Sequence, residues 1–340
     1  MGIIEVSALH SLPANGALRC SAACGILACS PSNGHTSVAG IGECAGLTVS
    51  PSGHRVWCPL MQRHAMLSPD ISPRLPDNAS ARLTLLAEAA LEAGDFARRS
   101  LKRRYADEMV VKAARDYQTE IDVAVEELIV KRMRENFPDH AITGEEAVGN
   151  YEAGEGAPRI YIDPIDGTTN YAWGIPHFGM TIAIVEGGIL TCGVVLDTMQ
   201  NELFSAERGM GAYLNGEQLS CRPVAVPEDA LIGAGLPIPG QVKSTDEETY
   251  HAALRRLMAE TSGVRRLGSA SLSLAYVACG RLDGFFEDGL SLHDYGASKL
   301  LIEEAGGRVT GFTGAPIGAH GDILASNGAL HAWLMEGFAG

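Results

Sequence analysis

Nine residues, Asp163-Pro164-Ile165-Asp166-Gly167-Thr168-Thr169-Asn170-Tyr171, constrain this chain more than any other stretch. They follow a short β-like run, Arg159-Ile160-Tyr161-Ile162. Two carboxylates three residues apart at a strand end, with no lysine or arginine between them, repel each other; such a pair holds a proton or recruits a cation. Pro164 fixes its own φ and biases Asp163 toward extended backbone. Gly167 lets the backbone pass close to a ligand. The amides of Gly167, Thr168 and Thr169 can then open a helix whose first N–H groups face an anion. Carboxylates for a divalent metal beside amides for a phosphate describe a site for hydrolysing phosphate esters.

The chain around this motif has 340 residues, 46% of them hydrophobic, enough for one large domain or two modest ones. Its formal charge of −15 argues against a nucleic-acid or anionic-membrane binder and suits an enzyme that gathers acids around a metal. No apolar run reaches the roughly 18 residues of a membrane span, and the N-terminus lacks the basic flank of a secretory signal. The expectation is a cytoplasmic protein with reduced thiols. Cys20, Cys24 and Cys29, followed by Cys44 and Cys58, do not form the paired knuckles of a zinc site.

Residues 1–78 read differently from the rest. The first lysine of the chain is Lys102, and turn-rich text such as Ser30-Pro31-Ser32-Asn33-Gly34 shows no persistent period. We read this stretch as an irregular extension, disordered or an over-long start, with Met61 and Met66 as alternative initiators. A regulatory or targeting arm is the other reading. The organised domain runs from 79 to 340. Its pattern predicts helices over 80–101 and 119–136, with Ser80 and Thr119 or Asp116 as N-caps. Strands follow over 180–185, 189–196 and 202–205, with a hairpin signal at Asn215-Gly216. From 231 onward strands (231–235, 283–287, 307–310, 323–326) alternate with helices (246–261, 269–279, 295–305, 329–336). Mixed α and β layers around two sheets is the predicted architecture.

Several acids other than the motif pair stand at element ends: Glu145 and Glu146 after a strand, Asp122 in the first turn of a helix, and Asp294 just before one. Taken singly, each reads as an N-cap or a solvated surface acid. Together they outline a hard-oxygen site of the kind magnesium uses, with few protein carboxylates and phosphate oxygens as remaining ligands.

Gly144-Glu145-Glu146, then Asp163 through Asn170, then Asp294 ahead of Ile302-Glu303-Glu304-Ala305-Gly306-Gly307 resemble the signatures of the inositol monophosphatase family, over roughly residues 82–338. The resemblance implies an alternating αβαβα sandwich of the inositol monophosphatase and fructose-1,6-bisphosphatase type. It also implies a Mg²⁺-dependent, lithium-sensitive hydrolase of phosphate monoesters, working as a homodimer on a small phosphorylated polyol or sugar, with two or three Mg²⁺ in each site.

By the same resemblance, Glu145, Asp163 and the carbonyl of Ile165 hold one metal. Asp163, Asp166 and Asp294 hold a second, and Glu145 helps with a weaker third. Thr168, backed by Asp122, orients the attacking water. The amides of Gly167 and Thr168 hold the phosphate. Gly268, Ser269, Ala270 and Glu287 meet the substrate hydroxyls.

The departures are His293 where Trp is usual, read as a packing replacement, and Gln118 where an apolar residue is usual. Arg265 and Arg266 either line the pocket mouth or are solvated. Inositol 1-phosphate leads as substrate, and histidinol phosphate or another sugar phosphate remains open. A regulatory or scaffolding protein with little turnover is the reading from another class.

Overall fold

The structure is a computed structural model that describes residues 74–104, 109–113 and 116–339, together with four short strands nearer the N-terminus. The chain divides into two compact units, 1–71 and 72–340. In the first, β1 (Ala17–Leu18), β2 (Leu27–Ser32), β3 (His35–Gly40) and β4 (Leu47–Val49) pair antiparallel in chain order, with Ser32 opposite His35. The turn-rich run Ser30 to Gly34 spans the end of β2 and the link into β3. The side chains of the five early cysteines and of Met61 and Met66 lie outside the described residues.

In the second unit, α1 (Ala81–Arg99) starts where expected, with the Ser80 side chain accepting from the Leu83 amide. The hairpin of β5 (Val110–Ala113) and β6 (Asp116–Gln118) was not legible in the sequence. Thr119 then caps α2 (Glu120–Asn136). Next come β7 (Ala141–Gly144), β8 (Arg159–Asp166) and the single-turn α3 (Thr168–Ala172). The strands β9 (Gly179–Glu186), β10 (Ile189–Asp197), β11 (Glu202–Glu207), β12 (Gly211–Leu214) and β13 (Glu217–Gln218) complete a seven-stranded sheet of order β13-β12-β11-β10-β9-β8-β7. Only the β7–β8 pair in it is parallel. Asn215 and Gly216 both take positive φ (49° and 81°) between β12 and β13, the two-residue turn their pairing predicted.

The second sheet, of order β15-β14-β16-β18-β17, contains β14 (Leu231–Ala234), β15 (Gly263–Arg265), β16 (Gly284–Glu287), β17 (Arg308–Thr310) and β18 (Ile323–Ser326). Its helices are α4 (Glu247–Glu260), α5 (Ala270–Ala278), α6 (Leu292–Glu304) and α7 (His331–Glu336).

Strand alternation sorts the side chains into three cores. Ile182, Ile184, Val194 and Leu196 face α1 and α2, whereas Ala183 and Val195 point the other way, onto α5 and α6. In the second sheet Phe285 and Ala325 face α5 and α6 from the other side, whereas Phe286 and Leu324 pack on α4 and α7. Helix pair, sheet, helix pair, sheet, helix pair is the predicted αβαβα sandwich. The middle helices sit close because Gly193 faces Ala297, where an added Cβ would lie 2.9 Å from the Ala297 Cα. No helix among the described residues is long and apolar enough to cross a membrane. Among those residues Cys192, Cys221 and Cys279 are free thiols.

Candidate active site

Register assembles the acids. Parallel pairing puts Gly144 of β7 beside Ile162 of β8, and the Glu145 amide donates to the Ile162 carbonyl at 3.0 Å. Glu145 therefore leaves β7 alongside Asp163. On the other edge of β8, Asp163 pairs with Thr181 of β9, and the Thr181 hydroxyl donates to the His293 carbonyl at 2.6 Å. That bond brings the start of α6, with Asp294, to the same place. The structure begins α6 at Leu292 and not near 295, because Ser291 and Asp294 form a capping box. Asp294 is thus inside the first turn, its carboxylate accepting from the Ser291 amide at 2.5 Å.

These acids are not electrically content. Asp163 is about 1% exposed, and burial pushes its carboxyl well above the usual carboxylate range, with Glu145, Asp166 and Asp294 adding repulsion. Asp294 is shifted the same way by burial and then by Glu145 and Asp166. Glu287 is raised to about 7, by burial first and then by Asp166, with Arg266 partly offsetting it. Asp294 and Glu287 keep only a small part of their surface in solvent.

A buried carboxylate whose strongest neighbours are carboxylates calls for a divalent cation, and the all-oxygen donor set suits magnesium. Among the described residues no three acidic, histidine or cysteine side chains converge tightly enough to enclose an ion. Asp294 directs an oxygen to the Ser291 amide, and Asp166 directs both of its own to α5.

Asp166 accepts from the hydroxyls of Ser269 and Ser271, each at 2.5 Å, and from the amides of Ala270 (3.2 Å) and Ser271 (2.7 Å). Ser269 and Ala270, expected on the substrate, therefore point their polar groups at Asp166. A carboxylate at the start of a helix attracts the first free amides of α5. Gly268 packs beside Asn170, and Glu287 accepts from the Gln241 side-chain amide at 3.4 Å.

The Thr168 hydroxyl lies 3.1 Å from both Asp122 Oδ1 and the Ile165 carbonyl. The other carboxylate oxygen of Asp122 accepts from the Thr119 amide at 2.9 Å and from the Thr119 hydroxyl. Burial raises Asp122 to about 6 despite these bonds. Gln118 does not disturb that pose; its amide reaches out to Glu146. Gly167 has φ 102°, and a Cβ there would meet the Gly268 carbonyl at 2.8 Å, so only glycine lets the motif approach Gly268 this closely. No side chain caps α3, leaving its amides to a ligand or solvent.

Sequence reasoning missed three supports. Asn170 was quoted only as part of the motif, yet its amide clamps the Leu267 and His177 carbonyls at 2.9 and 2.8 Å. Thr181 carried no signal. Glu126 did carry one, an acid one helical turn after Asp122 on a face otherwise apolar. His293 places its imidazole 3.8 Å from Asp294. The arginine pair splits: Arg266 is close enough to act on Glu287, whereas Arg265 donates to the carbonyl of Val264.

Residues 79–339 match the inositol monophosphatase family. Over 235 residues the chain is 45% identical to a Pseudomonas aeruginosa protein named Nus factor SuhB, covering 68% of this chain and 86% of that one. It is 37% identical over 262 residues to an inositol-1-monophosphatase of Mesorhizobium japonicum, covering 76% and 96%. Among solved structures, the extragenic suppressor protein suhB from Bartonella henselae superposes with TM-score 0.71 at 35% identity, covering 76% of this chain and 99% of that one. The Thermotoga maritima IMPase superposes with TM-score 0.68 at 32% identity, covering 76% and 97%. The chain belongs to the inositol monophosphatase family.

Proposed function

We propose that this chain hydrolyses phosphate monoesters with Mg²⁺, inositol 1-phosphate being the foremost substrate. The observation that carries the reading is the register that brings Glu145 and Asp294 alongside the buried Asp163 of β8, where these acids repel one another. Glu145, Asp163, the Ile165 carbonyl, Asp166 and Asp294 would hold two or three Mg²⁺. Magnesium bound there supplies an acidified water and charge compensation at the leaving oxygen. Uncatalysed monoester hydrolysis needs up to ~10²¹-fold acceleration, far beyond the roughly 10²–10⁴-fold of side-chain acid–base work alone.

The protein's own part is positional. Thr168 orients the attacking water through its hydroxyl. Asp122, raised to about 6, is poised to take a proton relayed through that hydroxyl. The amides of Gly167 and Thr168 receive the phosphate. Gly268 and Glu287 face the alcohol portion, while Ser269 and Ala270 act on it indirectly by holding Asp166. Lithium inhibition, a homodimer and a cytoplasmic location complete the proposal. A panel of phosphate esters assayed with and without Mg²⁺ tests it. Preferential turnover of histidinol phosphate would displace inositol phosphate, and turnover of none would overturn the reading.

A second reading, a Nus-factor role, is favoured by the name of the relative at 45% identity. It predicts that an Asp163→Asn chain, dead as a phosphatase, still restores a cell lacking this protein. Failure of that variant would return the weight to catalysis.

A further inference from the structure

Glu126 is fully buried, and among the described residues no cation pairs with it. It lies one helical turn beyond Asp122, so both acids leave the same face of α2. Its partners are backbone groups. Oε2 accepts from the Glu146 amide at 2.8 Å and Oε1 from the Val148 amide at 2.7 Å. Between those two residues Ala147 takes φ 56°, a left-handed conformation that alanine rarely adopts. On the near side, a Cβ added to Gly144 would lie 2.3 Å from the Glu126 carboxyl carbon. The 144–148 segment is therefore wrapped around this carboxylate, and the segment carries Glu145.

We propose that Glu126 is a positioning residue: its carboxylate shapes the 144–148 turn so that Glu145 is delivered beside Asp163. The inference rests on the reading of Glu145 as a magnesium ligand. A carboxylate is required because two converging N–H groups need two acceptors and tolerate no donor. Glutamine offers one acceptor and turns an NH₂ toward the other amide. Aspartate keeps both acceptors but is one methylene short. On this view α2 sets two parts of the site from one rigid face, Thr168 through Asp122 and Glu145 through Glu126.

The test compares full-length wild type with Glu126→Gln and Glu126→Asp. Three readouts are the Mg²⁺ dependence of turnover, Mn²⁺ binding without substrate by electron paramagnetic resonance, and hydrogen exchange of the peptide spanning 144–149. For Glu126→Gln we expect half-saturating Mg²⁺ and the Mn²⁺ dissociation constant each to rise about tenfold or more. Substrate KM at saturating Mg²⁺ should stay put, and exchange in that peptide should quicken. Glu126→Asp should fall between the two.

Unchanged Mn²⁺ affinity in both variants overturns the proposal, even if exchange quickens, because the residue would then be holding a turn and nothing more. If wild type binds Mn²⁺ but hydrolyses no phosphate ester, the phosphatase reading fails, while the binding and exchange results still decide the role of Glu126.

Discussion

Two aspartates, Asp163 within β8 and Asp288 just past β16, are each about 1% exposed. Asp288 accepts from the amides of Lys243 (2.6 Å) and Ser244 (2.8 Å), from the Ser244 hydroxyl (2.6 Å) and from the Gly289 amide (2.9 Å). Asp163 accepts from the Ile165 amide at 3.0 Å, is hydrogen-bonded to the Glu145 carboxyl, and lies in the field of Asp166 and Asp294 as well. The first is a lock that closes the 243–244 loop onto the second sheet. The second is a carboxyl the fold buries against other carboxyls, which raise its hold on a proton. Burial alone therefore does not mark function; what marks it is a buried acid whose neighbours are other acids.

Removing each charge should act in opposite directions. Asp163→Asn should lower turnover by well over about 10²-fold, more than is lost when a partner of a metal ligand is removed. The same change should raise the stability of the metal-free protein by roughly 1–3 kcal/mol, because a buried acid crowded by three other acids disappears. Kinetics and thermal unfolding in a chelator check both. A destabilised Asp163→Asn would break the contrast with Asp288.

Asp288→Ala should cost on the order of 1–3 kcal/mol by stranding the 243 and 244 amides. At a temperature where the fold persists, its Mg²⁺ requirement should match wild type. A variant of unaltered unfolding midpoint would show that the lock is not one.

The smallest effect is in pH. Asp122 is raised to about 6 and Glu287 to about 7, with burial the leading cause in each. The unfolded chain releases these protons near pH 4, so between there and about 7 the native state holds more protons. Metal-free stability must then fall as pH rises across that window. Each kcal/mol lost would lower the unfolding midpoint by about 2–4 °C. Saturating Mg²⁺ should flatten the slope, and a slope of opposite sign would remove the electrostatic reading of the site.

Much of this was legible because it is local. Ser80 and Thr119 announced helix starts by their own hydrogen-bonding capacity, and both caps form. The run from Ser291 to Asp294 held the capping box that moves the start of α6 to Leu292, a spacing signal that was passed over. The β5–β6 hairpin and Gly263–Arg265 escaped notice because strands of three or four residues show no reliable alternation. Ser269 and Ala270 were placed on the substrate by resemblance. Only the fold shows that their donors are taken by an aspartate more than 100 residues earlier in the chain.

By itself the sequence determined the order of the layers and the identity of the acids. Side-chain period, caps and turn chemistry are properties of neighbours along the chain. Which acids share a field, and which are neutralised by amides, was decided by the tertiary structure. The β7–β8 register, the Thr181 bond to the His293 carbonyl and the Glu126 turn bring together groups up to about 150 residues apart. The cause is dielectric as much as geometric: a carboxylate takes on its working character only when water has been removed from around it.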